Sequence, residues 1–208
     1  MAERVTDSCT LTLLGIGAMA SERYAPPAGL LVERHGRAVM IDGGPGAEPD
    51  RPVEDRLVTD ERAELIAKIR RMAREKFGVR PRAGSASLDD LRIYAEPVVH
   101  TSRATYGYRI QLRDSMAAWA PEFLEFPRWA ASAEIMFADA AGWNRRIRFA
   151  KRVSGHAASL DVAEAARAMN VARLVFAHVG KPTIRALDAG KSFPFGELGQ
   201  ERTTYELT

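Results

Sequence analysis

The chain has 208 residues, 46% hydrophobic and 27% charged, an ordinary globular balance and enough length to bury roughly 70% of the unfolded surface without disulfides or a structural metal. Thirty basic and 27 acidic residues leave a formal charge of +3, too even to imply a nucleic-acid partner from charge alone. The single Cys9 excludes an intrachain disulfide and points to a reducing, cytoplasmic setting; no basic-plus-apolar leader is present, and no apolar run nears the roughly 18 residues of a membrane span.

Arginine supplies nearly all the positive charge, the lysines being only Lys68, Lys76, Lys151, Lys181 and Lys191. Its planar fork suits phosphate and carboxylate groups, although composition alone assigns it no such task.

In chain order, Cys9 to Leu14 reads as a strand ending at Gly15-Ile16-Gly17. Gly29 to Glu33 and Arg37 to Asp42 form a hairpin about Arg34-His35-Gly36. The second run closes on Asp42-Gly43-Gly44-Pro45-Gly46, where the turn is either structural or carries a carboxylate to a site edge. Between Glu61 and Phe77 the apolar residues Leu65, Ile66, Ile69, Met72, Ala73 and Phe77 repeat at helical spacing, with Thr59 or Asp60 as cap and Gly78 as stop. Arg82 to Asp90 reads as loop. Strands are expected over Leu91 to Val99, Tyr106 to Leu112, Met116 to Trp119 and Glu134 to Phe137. A helix follows over Leu160 to Met169, then a strand over Ala172 to Ala177. The tail from Lys191 reads as an irregular appendage to a single domain spanning 1–208. A two-sheet α/β core with helices on its outer faces accommodates this order.

Three of the four histidines stand at element ends: His100 after a strand, His156 before a helix and His178 after a strand. Strand ends are where α/β folds assemble sites, because rigid roots hold converging loops. Each alone is as readily a structural histidine; together they point to a shared site. His35 lies in a turn and reads as solvated.

The segments Leu11-Thr12-Leu13-Leu14-Gly15-Ile16-Gly17, Gly29-Leu30-Leu31-Val32 and Ile41-Asp42-Gly43-Gly44-Pro45-Gly46 resemble the opening of metallo-β-lactamase-fold proteins. His100 with the strand Tyr106-Gly107-Tyr108-Arg109-Ile110, Gly155-His156 before its Ala-rich helix, and Leu174-Val175-Phe176-Ala177-His178 resemble, in order, later motifs of the ribonuclease Z and cyclic-phosphodiesterase branch. The resemblance implies a four-layer αββα sandwich.

Hydrolases of that superfamily carry Thr-His-Xaa-His-Xaa-Asp-His around two zinc ions. The matching place here reads Thr59-Asp60-Glu61-Arg62-Ala63-Glu64-Leu65. Neither a guanidinium nor Leu65 ligates a cation, so the usual dinuclear site is incomplete. Glu122, after Ala120-Pro121, matches the bridging aspartate. The resemblance therefore leaves Asp60, Glu64, His100, Glu122 and His178 as metal-ligand candidates for a single Mn²⁺, Fe²⁺ or Zn²⁺ ion. The expected activity is that of a phosphodiesterase or nuclease, with His156 protonating the leaving oxygen. Arg62 is expected in the cleft as a substitute for lost metal charge, and Asp60 and Glu64 have ordinary alternatives as an N-cap and an i, i+4 partner of Lys68. The competing expectation is a metal-free, non-catalytic binding or regulatory protein that retains the cleft. The partner is accordingly a small phosphorylated molecule or a nucleic acid, with no membrane and with self-association open.

Overall fold

The computed structural model describes residues 8–18, 23–61, 71–72, 74–75, 78–149 and 154–208. A first sheet takes β1 (Cys9–Gly15), β2 (Gly29–Arg34), β3 (Arg37–Asp42) and β4 (Asp55–Leu57). Its far edge is completed from the tail. A second sheet contains β5 (Ala86–Leu88), β6 (Leu91–Pro97), β7 (Tyr106–Leu112), β8 (Ser115–Ala120) and β9 (Ile135–Ala140). The pair β10 (Ile147–Arg148) and β11 (Gly155–His156) stands apart. Helix α1 (Ser159–Ala168) then leads into β12 (Arg173–Val179), helix α2 (Lys181–Asp188), β13 (Glu197–Leu198) and β14 (Thr204–Leu207).

The strand orders are β14-β1-β2-β3-β4 and β13-β12-β9-β8-β7-β6-β5. Alternation along the strands explains how the sheets meet. Leu11, Leu13, Leu30, Val32, Val39 and Ile41 of the first sheet share one buried cluster with Ile93, Tyr108, Ile110, Phe137 and Phe176 of the second. Leu14, Leu31, Ala38 and Met40 point to the opposite face and pack with Ala47 and Val53. The first sheet is thus apolar on both faces, as an inner layer must be. Val162, Ala163 and Ala166 bury the inner stripe of α1, which makes the crossover that parallel β9 and β12 require. The fold is the expected α/β arrangement.

Differences from the sequence reading have physical causes. The expected helix over 61–77 is helical at 71–72 and 74–75 and is a turn at 61; its remaining positions lie outside the described residues. The loop expected at Arg82 to Asp90 contains β5, a three-residue edge strand too short for a periodic signal. Helix α2 was not expected. Pro182 stands in its first turn, where the missing N–H costs nothing and the fixed φ favours the helix. The tail from Lys191 is not irregular: β13 pairs with β12, and β14 pairs with β1 from Cys9↔Leu207 to Thr12↔Thr204. His35 and Gly36 form the expected hairpin turn, both with positive φ.

Strand direction positions the site. Strands β6, β8, β9 and β12 all run the same way, since β7 is antiparallel to both β6 and β8, while β8, β9 and β12 are mutually parallel neighbours. Their C-terminal ends share one sheet edge, and His100, Glu122, Asp139 and His178 are distributed along it. In the first sheet β3 and β4 are parallel and deliver Asp42 and the Val58 to Asp60 segment to the same edge. The sheets are tied there by Tyr106 N–H donating to the Thr59 carbonyl (2.9 Å), Val179 N–H to the Ile16 carbonyl (2.7 Å) and the Tyr108 hydroxyl to the Val58 carbonyl (2.7 Å).

Candidate active site

A cavity of about 470 Å³ opens at this edge, lined by residues that include Asp60, His100, Glu122, His156 and His178. The three histidines converge as expected: ring centroids of His100 and His156 are 4.7 Å apart, and those of His156 and His178 are 5.2 Å apart and stacked. Asp60 is buried in the same wall. Arg62 and Glu64 lie outside the described residues.

Each histidine is held by a separate device. The His100 Nδ1 donates to the Gly155 carbonyl at 2.9 Å, while Gly155 N–H returns a bond to the His100 carbonyl at 2.8 Å. Because a carbonyl only accepts, the proton of neutral His100 sits on Nδ1 and the Nε2 lone pair is presented to the site. Gly155 holds φ +146°, and a Cβ there would stand 1.8 Å from the Ile147 carbonyl oxygen. Gly155→Ala is therefore expected to split β10 from β11 and unseat His100, costing roughly 3 kcal/mol or more. A thermal melt within a degree of wild type would contradict this.

His178 lies inside β12 rather than beyond it. Its φ of +55° coincides with a register shift between Ala177 and Val179, a bulge that turns the ring out of the sheet alternation. Burial, reinforced by the neighbouring His156, holds its pKa below the usual histidine value against the opposing pull of Glu122. His156 behaves oppositely. Burial disfavours its charge, but the charge and hydrogen bond of Asp139, with Glu122 behind them, outweigh that and raise its pKa.

Asp139 was missed in the sequence. It is fully buried: Oδ2 lies 2.7 Å from His156 Nδ1 and accepts from Phe123 N–H at 3.2 Å, and Oδ1 accepts from Ala141 N–H at 2.8 Å. The available signal was a carboxylate inside the otherwise apolar run Ile135-Met136-Phe137-Ala138-Asp139-Ala140, which burial alone would penalise heavily. Asp42, at φ +55°, accepts from Thr59 N–H (2.8 Å) and Trp119 Nε1–H (2.7 Å). It thereby fastens the segment carrying Asp60 to both sheets. Burial pushes its pKa up to about 7, opposed by those two donors.

Glu122 lies between two imidazoles, Oε2 at 3.5 Å from His100 Nε2 and Oε1 at 3.4 Å from His178 Nε2. These separations exceed those of charge-assisted hydrogen bonds. Two atoms each about 2.1 Å from a tetrahedral cation stand about 3.4 Å apart, so both pairs have the spacing of metal-ligand pairs, and the imidazole and carboxylate chemistry suits a divalent ion. Among the described residues no three His, Cys, Asp or Glu side chains gather into a complete cation-holding group.

The fold can now be placed among known structures. A metallo-beta-lactamase fold protein, YhfI from Bacillus subtilis, aligns over 96% of this chain and 99% of its own at 13% identity and a TM-score of 0.69. The chain has the metallo-β-lactamase fold. A diphosphatase of the PhnP family aligns over 96% and 98% at 16% identity (TM-score 0.70), and human tRNase Z, short form, over 94% and 98% at 11% identity (TM-score 0.62). No protein-family model and no curated protein matches the sequence. The metallo-β-lactamase fold therefore rests on structure, with hydrolases among its neighbours. No helix among the described residues is long and apolar enough to cross a membrane.

Proposed function

We propose that the chain is a divergent hydrolase acting on a phosphodiester-type bond of a small phosphorylated molecule or nucleic acid. The observation that carries this is His156, which has the buried Asp139 carboxylate 2.7 Å behind it and lines one cavity with Glu122 and the cationic residues Arg103 and Lys181. The diphosphatase and tRNase Z among the fold neighbours support the same chemistry.

Glu122 with His100 and His178, and Asp60 beside them, would hold a single divalent cation, which supplies Lewis-acid polarisation and acidification of water when bound. Asp139 occupies His156 Nδ1 and fixes the ring, leaving Nε2 to deliver a proton to the leaving oxygen. Arg103 and Lys181, both exposed residues lining the cavity, attract the anionic substrate towards it.

Elemental analysis of protein purified without a histidine tag, combined with bis(4-nitrophenyl) phosphate turnover in added Mn²⁺ or Zn²⁺, tests this reading. About one cation per chain is expected, released by Glu122→Gln, with turnover reduced at least a hundredfold by His156→Ala. No turnover of phosphodiesters or phosphomonoesters by the wild type with any cation would overturn it.

A second reading, a metal-free binding protein, is favoured by Arg62 and Leu65, two side chains that do not ligate a cation, in the first motif. It predicts phosphate binding without turnover or bound metal.

A further inference from the structure

Phe149 is 40% exposed, while Tyr94 and Val99 are the other large hydrophobic side chains as open to solvent among the described residues. Unlike those two, it lines the cavity. Its ring stands nearly perpendicular to His100 (5.6 Å, 76°) and to His156 (5.4 Å, 88°), so two edge-to-face contacts fix it beside the reacting groups. Ala18, Ala141, Ile147 and Pro182 continue the apolar wall, whereas Arg103 and Lys181 supply positive charge to the same cavity. At about 470 Å³ the space suits a ligand with a body beyond its phosphate.

We infer that Phe149 is a specificity-determining residue that receives a planar aromatic substituent on the phosphoester. This rests on the hydrolase reading for the anionic end of the ligand and adds the chemistry of the other end. An aromatic group fits better than an aliphatic one because a fixed ring offers a flat face and polarised edge that reward stacking or edge-to-face geometry beyond area burial. An exposed phenyl ring held against two catalytic-site imidazoles costs solvation that such a partner recovers.

The test is calorimetric binding of phenyl, cyclohexyl and methyl phosphate to the full chain. Wild type is expected to bind phenyl phosphate about tenfold more tightly than methyl phosphate and severalfold more tightly than cyclohexyl phosphate. Phe149→Ala should abolish the phenyl preference, bringing the ratio of phenyl to cyclohexyl phosphate affinity to about one, and Phe149→Tyr should retain it. Equal binding of phenyl and cyclohexyl phosphate, or a preference that survives Phe149→Ala, overturns the inference while the hydrolase reading stands. Binding of none of the three removes the anion seat and overturns both.

Discussion

Asp139→Asn is expected to lower phosphodiester turnover by a factor on the order of 10²–10⁴ while costing only about 1–3 kcal/mol of stability. An asparagine can still accept from Ala141 N–H through its oxygen, but the amide nitrogen then replaces the oxygen that meets Phe123 N–H and His156 Nδ1. One backbone donor loses its acceptor, and His156 must present a lone pair at Nδ1. The carboxylate that raised its pKa is also gone, so the imidazolium form that donates from Nε2 becomes less populated. Turnover should therefore recover partly as the pH is lowered. A variant that keeps full turnover, or one whose pH profile overlies wild type, would remove His156 from the proton path.

Asp42 should make the fold less stable as the pH rises from about 4 to about 7. Its folded pKa is raised to about 7 from an ordinary 3.8, so the folded chain retains a proton that the unfolded chain releases. The stabilisation is complete below the unfolded value and is lost as the pH passes through the folded one, at most about 4 kcal/mol. Asp42→Asn abolishes the titration but provides one oxygen for two donors, Thr59 N–H and Trp119 Nε1–H, leaving one unsatisfied at a cost of about 1–3 kcal/mol. The variant should be the less stable protein at pH 5, with the gap closing or reversing by pH 8. Urea denaturation at both pH values measures this, and parallel wild-type and variant stabilities would mean that Asp42 does not titrate as described.

Much of the architecture was legible because the two-sheet core is written in alternating apolar residues, as along Leu11 and Leu13 or Ile93, Tyr108 and Ile110. The convergence of His100, His156 and His178 was legible for a related reason: the ends of strands that run the same way and the start of the helix that follows His156 meet at one edge. What escaped depends on partners distant in sequence. The three residues of β5 and the two of β13 carry no period of their own, and α2 has in its first turn a proline whose effect depends on its position there. Asp139 stands two residues beyond the strand expected over Glu134 to Phe137, and the partners that give it a role, Phe123 and His156, lie far from it in the sequence. Phe149 and Lys181 gain meaning only from the cavity they line.

The pairing of β14 with β1 has a consequence for assembly. During synthesis β1, β2 and β3 emerge early and can form their antiparallel ladder, but the outer edge of β1 stays open until Thr204–Leu207 leave the ribosome. That edge belongs to a strand rich in leucine, the kind of exposed ladder on which another chain can add itself. β14 acts as an edge guard as well as a strand. The edge of β1 is thus open to misassociation until β14 emerges, and the closing contacts join residues as far apart in sequence as Cys9 and Leu207, which slows their formation.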